Sequence, residues 1–237
     1  MDMTEAPRVA LISGASRGIG AAVAETLFAE GWAVSLGMRA PALPDWAAAD
    51  PTRVHLFAYD ALDRAAPAAW VADAVTRFGR VDALVANAGI SIPKTVVEIS
   101  DDEFDLLTEI NVKAPRRLAA AAWEALCQSG RGRVIVLGSL SGKRVKSARS
   151  GAYSMTKFAA VALAHALRHA GFDKGVRATA VCPGFVATDM AAALTERPAE
   201  QMTSPRDLAR VISLLIALPN EASVAEFCVN CQLEESF

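Results

Sequence analysis

The chain has 237 residues, 53% of them hydrophobic and 21% charged, with a formal net charge of −2. That length suits one α/β domain with a large core, and the near-neutral balance gives nucleic acid or an anionic membrane no general hold on the protein. No apolar run approaches the roughly 18 residues of a membrane span, and the acidic start Met-Asp-Met-Thr-Glu-Ala-Pro lacks an apolar signal core, so a cytoplasmic location is expected.

Short apolar runs alternate with helical stretches along the chain. Strands are predicted over 9–13, 33–37, 54–58, 81–86, 133–138, 176–182 and 227–230, with helices between them. Repeated β–α units argue for a single-domain, doubly wound, Rossmann-like α/β fold over 1–237: a parallel sheet of about seven strands with helices on both faces.

The first strand runs into Ser13-Gly-Ala-Ser-Arg-Gly-Ile-Gly20, and an alanine-rich helical stretch follows. Strand, glycine loop and helix form the context of a dinucleotide site. Glycines let the backbone approach a pyrophosphate, and the helix start offers free N–H groups and a positive dipole end. The spacing, G-x-x-x-G-x-G, differs from the common G-x-G-x-x-G. The second strand ends in Ser35-Leu-Gly-Met-Arg39. An acid there would bond a ribose 2′-OH and repel a 2′-phosphate. Here Met38 and Arg39 stand in its place, and Arg17 is a second base within reach, so the expected cofactor is NADP(H) rather than NAD(H). The proline-rich stretch 40–51 reads as a surface connection, and Asp60 follows the third strand at a position that suits a helix cap.

Farther along, Asn87-Ala88-Gly89 follows the fourth strand, Asn111 sits in Glu-Ile-Asn-Val, and Ser139 follows the fifth strand. Tyr153-Ser-Met-Thr-Lys157 places a phenol and an ammonium one helical turn apart on one face. A phenol with pKa of about 10 is a poor proton carrier at neutrality, and a neighbouring cation should lower that value. Between Ser139 and Tyr153 lie Lys143, Arg144, Lys146 and Arg149 with no acid, either a solvated loop or a contact for an anionic substrate. Pro183-Gly184 follows the sixth strand, with Val186 and Thr188 just beyond. Ser204-Pro-Arg-Asp207 reads as a sharp helix start, leaving 185–204 as a long connection. Cys228-Val-Asn-Cys231, with His165 and His169 one turn apart, admits a metal reading, but a buried strand is the preferred one and no metal is expected.

Taken in this order, the glycine loop, Asn87-Ala-Gly89, Asn111, Ser139, Tyr153-x-x-x-Lys157 and Pro183-Gly184 with Thr188 resemble the short-chain dehydrogenase/reductase family across nearly the whole chain. The resemblance implies strand order 3-2-1-4-5-6-7 and hydride transfer between nicotinamide and a small carbonyl or alcohol substrate. It implies catalytic roles for Ser139, Tyr153 and Lys157, with Asn111 on a water-linked proton path, and a short substrate lid around 185–204. Cofactor contacts are implied at Gly14, Ser16, Arg17, Gly18, Ile19, Gly20, Arg39, Asp60, Ala61, Asn87, Ala88, Gly89, Tyr153, Lys157, Pro183, Gly184, Val186 and Thr188. A 3-oxoacyl-thioester reductase, an epimerase or dehydratase on the same fold, and a nucleotide sensor without catalysis remain alternatives. The tail Leu-Glu-Glu-Ser-Phe237 lacks the Asp-Gly-Gly that many members carry there. Self-association as a homodimer or homotetramer is expected through helices near 111–126 and 153–170, the second being apolar nearly all round.

Overall fold

A computed structural model describes residues 6–233; the readings of segments 1–5 and 234–237 fall outside that range. The strands are β1 Val9–Ser13, β2 Ala33–Met38, β3 Val54–Ala58, β4 Ala83–Ala86, β5 Arg133–Leu137, β6 Arg177–Pro183 and β7 Glu226–Val229. The helices are α1 Gly18–Ala29, α2 Ala66–Phe78, α3 Asp101–Thr108, α4 Ala114–Gln128, α5 Gly151–Gly171, α6 Asp189–Ala192 and α7 Pro205–Ala217. The seven strands form one sheet of order β3-β2-β1-β4-β5-β6-β7, with every neighbouring pair parallel. Both the strand set and the order match the expectation.

Strand alternation builds two cores. Ala10 and Ile12 of β1 face one cluster, which takes Val23 and Leu27 of α1 and Leu208 and Ile212 of α7. Val9 and Leu11 face the other, with Trp70 of α2, Leu118 of α4 and Ala160 of α5. A strand covered on both faces needs apolar residues at every position, so the strands read as continuous apolar runs. Because β1 lies between β2 and β4, the side of the sheet to which strands are added reverses there, and the carboxyl ends of these strands open a crevice that positions the site.

Two expectations shift in detail. Residues 81 and 82 precede β4 rather than belonging to it. The fully buried Asp82 there takes the Val9 N–H at 2.9 Å, Arg80 through two bonds of 2.8 Å, and Ser129 Oγ at 2.7 Å. The helix through Asn111 is also not continuous, because Glu109–Lys113 forms a π turn between α3 and α4. Pro115 has no N–H for the Asn111 carbonyl four residues back, and its ring would crowd that carbonyl, so the helix widens here.

Candidate active site

The crevice is a cavity of about 910 Å³ that runs from the glycine loop and the end of β2 to Ser139, Tyr153 and the segment after β6. The glycine loop forms its floor. Gly14 has φ of +68°, a conformation that favours glycine. A Cβ on Gly20 would stand 2.3 Å from the Gly14 carbonyl oxygen, so loop and helix meet at a separation that only glycine allows. The α1 helix starts at Gly18, earlier than the predicted 21, and its N-cap Arg17 makes no side-chain cap. Its first-turn N–H groups are thus left for an anion. Ser16, Gly18 and Ile19 line the cavity beside it.

Asn87 locks this floor to the sheet. Its Nδ2 donates to Ser13 O at 2.9 Å and Gly14 O at 3.2 Å, while Ser13 Oγ accepts the Asn87 and Ala88 N–H groups at 3.0 and 3.1 Å. Asn87 thus braces the loop against the sheet, and Ala88 and Gly89 continue along the cavity wall. At the β2 end, Met38 is buried in the core, whereas Arg39 is exposed and lines the cavity. Arg17 departs from its expected direction. Its Nη1 meets Asp189 Oδ2 at 2.6 Å, an ion pair from the glycine loop to the start of α6. An exposed guanidinium takes the carboxylate within reach, so without nucleotide Arg17 is engaged by Asp189. Asp60 and Ala61 line the same end. Asp60 caps no helix: its Oδ1 accepts the Leu62 N–H at 2.9 Å, closing a turn ahead of α2.

At the other end, β5 and α5 bring Ser139, Tyr153 and Lys157 onto one wall. Ser139 Oγ accepts the Ser141 N–H at 3.1 Å and lies 3.4 Å from the Pro183 carbonyl. Lys157 is buried, and its Nζ donates to the Leu137 carbonyl at 2.7 Å. That ammonium stands 5.6 Å from the centroid of the Tyr153 ring. The expected depression of the tyrosine pKa is not seen. Burial pushes the half-buried Tyr153 up to about 12, with only a hydrogen bond from Ser139 working the other way. Burial also lowers Lys157 to about 8, against a small opposing effect from Cys182. Desolvation dominates at both positions because it penalises the charged form of each group.

Asn111 lies behind this wall, at the π turn. Its Nδ2 donates to Ile90 O at 2.9 Å and Thr156 Oγ1 at 3.1 Å, and its Oδ1 accepts the Ile90 N–H at 2.9 Å. Both amide hydrogens are thus committed to bracing the Ile90 loop against α5, beside Lys157. Pro183, Gly184, Val186 and Thr188 all line the cavity, and Thr188 caps α6 through the Ala191 N–H.

The basic stretch splits. Lys143 is tied to Glu226 at 2.5 Å, and Glu226 also holds His165 Nε2 at 2.7 Å, so that histidine is directed to a carboxylate rather than to Cys228 and Cys231. Arg144, Lys146 and Arg149 line the cavity mouth, with Arg149 Nε donating to Pro93 O at 3.1 Å. Among the described residues no group of three or more His, Cys, Asp or Glu could hold a metal, and no helix is long and apolar enough to cross a membrane. Several lining residues carried no sequence signal. Tyr59, Ile90, Asn230 and Gln232 reach the cavity through sheet register, whereas Phe185, Met190 and Leu194 come from the expected lid over 185–204. An extended cleft with a glycine floor, an uncapped helix start, a base at the β2 end and a hydroxyl pair beside a lysine fits a nicotinamide dinucleotide.

A family profile described as short chain dehydrogenase matches residues 8–199. The agropine synthesis reductase of Rhizobium rhizogenes is 41% identical over 228 residues, covering 95% of this chain and 53% of that protein. The chain thus spans about half the length of that relative. The 3-oxoacyl-(acyl-carrier-protein) reductase FabG of Escherichia coli K12 is 30% identical over 222 residues, covering 88% of this chain and 89% of that one. Among solved structures, an alcohol dehydrogenase from the archaeon Thermococcus sibiricus, complexed with 5-hydroxy-NADP, superposes with a TM-score of 0.80 at 28% identity, covering 94% of this chain and 95% of that one. On this evidence the chain belongs to the short-chain dehydrogenase family.

Proposed function

We propose that the protein is an NADP(H)-dependent oxidoreductase that interconverts a carbonyl compound and its alcohol. The observation that carries this reading is the single cavity joining the glycine loop and Arg39 to Ser139, Tyr153 and Lys157. Bound NADPH would supply the hydride. Ser139 Oγ holds the carbonyl oxygen and steadies the negative charge that grows on it. The Tyr153 hydroxyl gives its proton to that oxygen in reduction and takes it back in oxidation. At about 12 the phenol is fully protonated at neutrality, the form a reductase needs. Lys157, at about 8, exchanges protons near neutrality and keeps N–H groups beyond the one on Leu137 O for a ribose hydroxyl.

Arg39, without an acid at Met38, supports the preference for NADP(H), as does the NADP analogue held by the Thermococcus relative. The FabG relative supports a 3-oxoacyl thioester as one substrate to test, and Arg144, Lys146 and Arg149 at the mouth support an anionic group on the substrate. Met155 and Phe158, exposed on α5, support self-association as a dimer or tetramer.

The test is an NADPH-oxidation screen over aldehydes, ketones, quinones, sugars and 3-oxoacyl thioesters, with carboxylic acids run beside their methyl esters. Turnover of at least one class is expected. Tyr153→Phe should lower kcat by on the order of 10²–10⁴ with NADPH affinity nearly unchanged. Full activity in that variant would refute the proton donor.

A further inference from the structure

Arg17 and Asp189 are both cavity-lining residues, and each side chain is 72% exposed. The pair joins two separate pieces of chain: the glycine loop ahead of α1, and the segment that leaves β6 and enters α6. The two pieces already touch beside the pair, because a Cβ on Gly18 would lie 3.1 Å from Thr188 Cγ2. Asp189 is thus held over the loop by backbone packing as well as by its charge. The acids lining the cavity are Asp60 and Asp189, and Asp60 spends one oxygen on the Leu62 N–H. Asp189 alone is ion-paired to a base of the glycine loop.

We propose that Asp189 is a specificity-determining residue: its carboxylate competes with the 2′-phosphate of the cofactor for Arg17, so binding of NADP(H) exchanges one anion for the other. This rests on the NADP(H) reading above. A dianionic phosphate with three acceptor oxygens outbids a monoanionic carboxylate for a guanidinium. The exposed ion pair must still be broken first, which reduces affinity by the strength of that pair. NAD(H) has no 2′-phosphate and does not call on Arg17 in this way. Asp189 should therefore lower discrimination between the two nucleotides.

The experiment measures dissociation constants for NADPH and NADH by nicotinamide fluorescence on the full chain, in wild type, Asp189→Asn, Arg17→Ala and the double variant. Asparagine keeps the shape at the start of α6 and removes only the charge. The proposal expects Asp189→Asn to tighten NADPH roughly two- to fivefold, the range for an exposed pair. NADH affinity should stay level, and the gain should vanish in the Arg17→Ala background. An unchanged NADPH constant in Asp189→Asn would overturn it. So would an equal gain for NADH, or a gain that persists without Arg17, since each makes Asp189 a general repulsive charge or a bystander. If wild type binds neither nucleotide, or prefers NADH, the NADP(H) reading itself fails and the exchange falls with it; that pattern differs from NADPH binding that ignores Asp189.

Discussion

At the scale of single residues, burial sets the protonation of Tyr153 and Lys157. Lys157 shows this best. Its folded value of about 8 lies below its ordinary 10.5. Below about pH 8 both folded and unfolded chains hold the proton, and the folded state bears the cost of an enclosed ammonium. Between about 8 and 10.5 the folded chain has released a proton that the unfolded chain still binds, so stability rises with pH across that window. Lys157→Met removes the effect. The unfolding free energy of wild type should gain on that of the variant by on the order of 1 kcal/mol per pH unit above pH 8, as read by urea denaturation at pH 7.5 and 9.5. A constant difference would mean that the ammonium is well solvated. Arg39 governs the other end of the cleft. Arg39→Asp should move the NADPH-to-NADH ratio of kcat/KM toward NADH by roughly tenfold or more, the worth of a charge-assisted bond. An unmoved ratio in steady-state kinetics would remove Arg39 from the phosphate site.

Among elements, the strongest local design lies at the end of the sheet away from the cleft. Asp82, just before β4, ties β1, the 80–82 turn and the end of α4 together. Burial alone would raise its carboxyl, but bonds from Arg80, the Val9 N–H and Ser129 outweigh it and hold the value below the usual carboxylate range. The resulting stability is present above about pH 4 and is lost as pH falls through the folded value. Asp82→Ala strands the Val9 N–H and should cost about 1–3 kcal/mol at neutral pH, with a smaller loss in acid. A thermal or urea melt that shifts equally at pH 7 and pH 3 would contradict this account.

The strand runs were legible because burial on both faces imposes unbroken apolar stretches, and the glycine loop because backbone approach excludes side chains. The break at Glu109–Lys113 was not legible as a π turn, although Pro115 was its cause. The Arg17–Asp189 and Lys143–Glu226 pairs were not legible either. Each joins residues far apart in the chain, and only sheet order brings them together. For the same reason Asn230 and Gln232 entered the cleft without a motif. The sequence supports the hydroxyl–lysine geometry of 139, 153 and 157, but not the desolvation that sets the protonation of Tyr153 and Lys157.

At the scale of the whole molecule, one face asks for cover. Phe158 is 44% and Met155 52% exposed on α5, whose opposite side buries Ala160, Val161 and Ala164 in the core. Sedimentation velocity should report a dimer or tetramer at micromolar concentration, and Phe158→Glu should shift it toward monomer; a wild-type monomer would assign that face to something else. The cleft lies at the carboxyl ends of the strands, where the order turns from β1 to β4, so nucleotide and substrate meet over one rigid sheet.

The central claim is that this cleft passes a hydride from nicotinamide to a carbonyl carbon. It is tested most directly by turning over the best substrate of the screen with NADPH deuterated at C4 on the transferring face, and weighing the alcohol by mass spectrometry. The account predicts one deuterium on the carbinol carbon, with the signal lost in Tyr153→Phe. Product formed with the label still on the nicotinamide would contradict it.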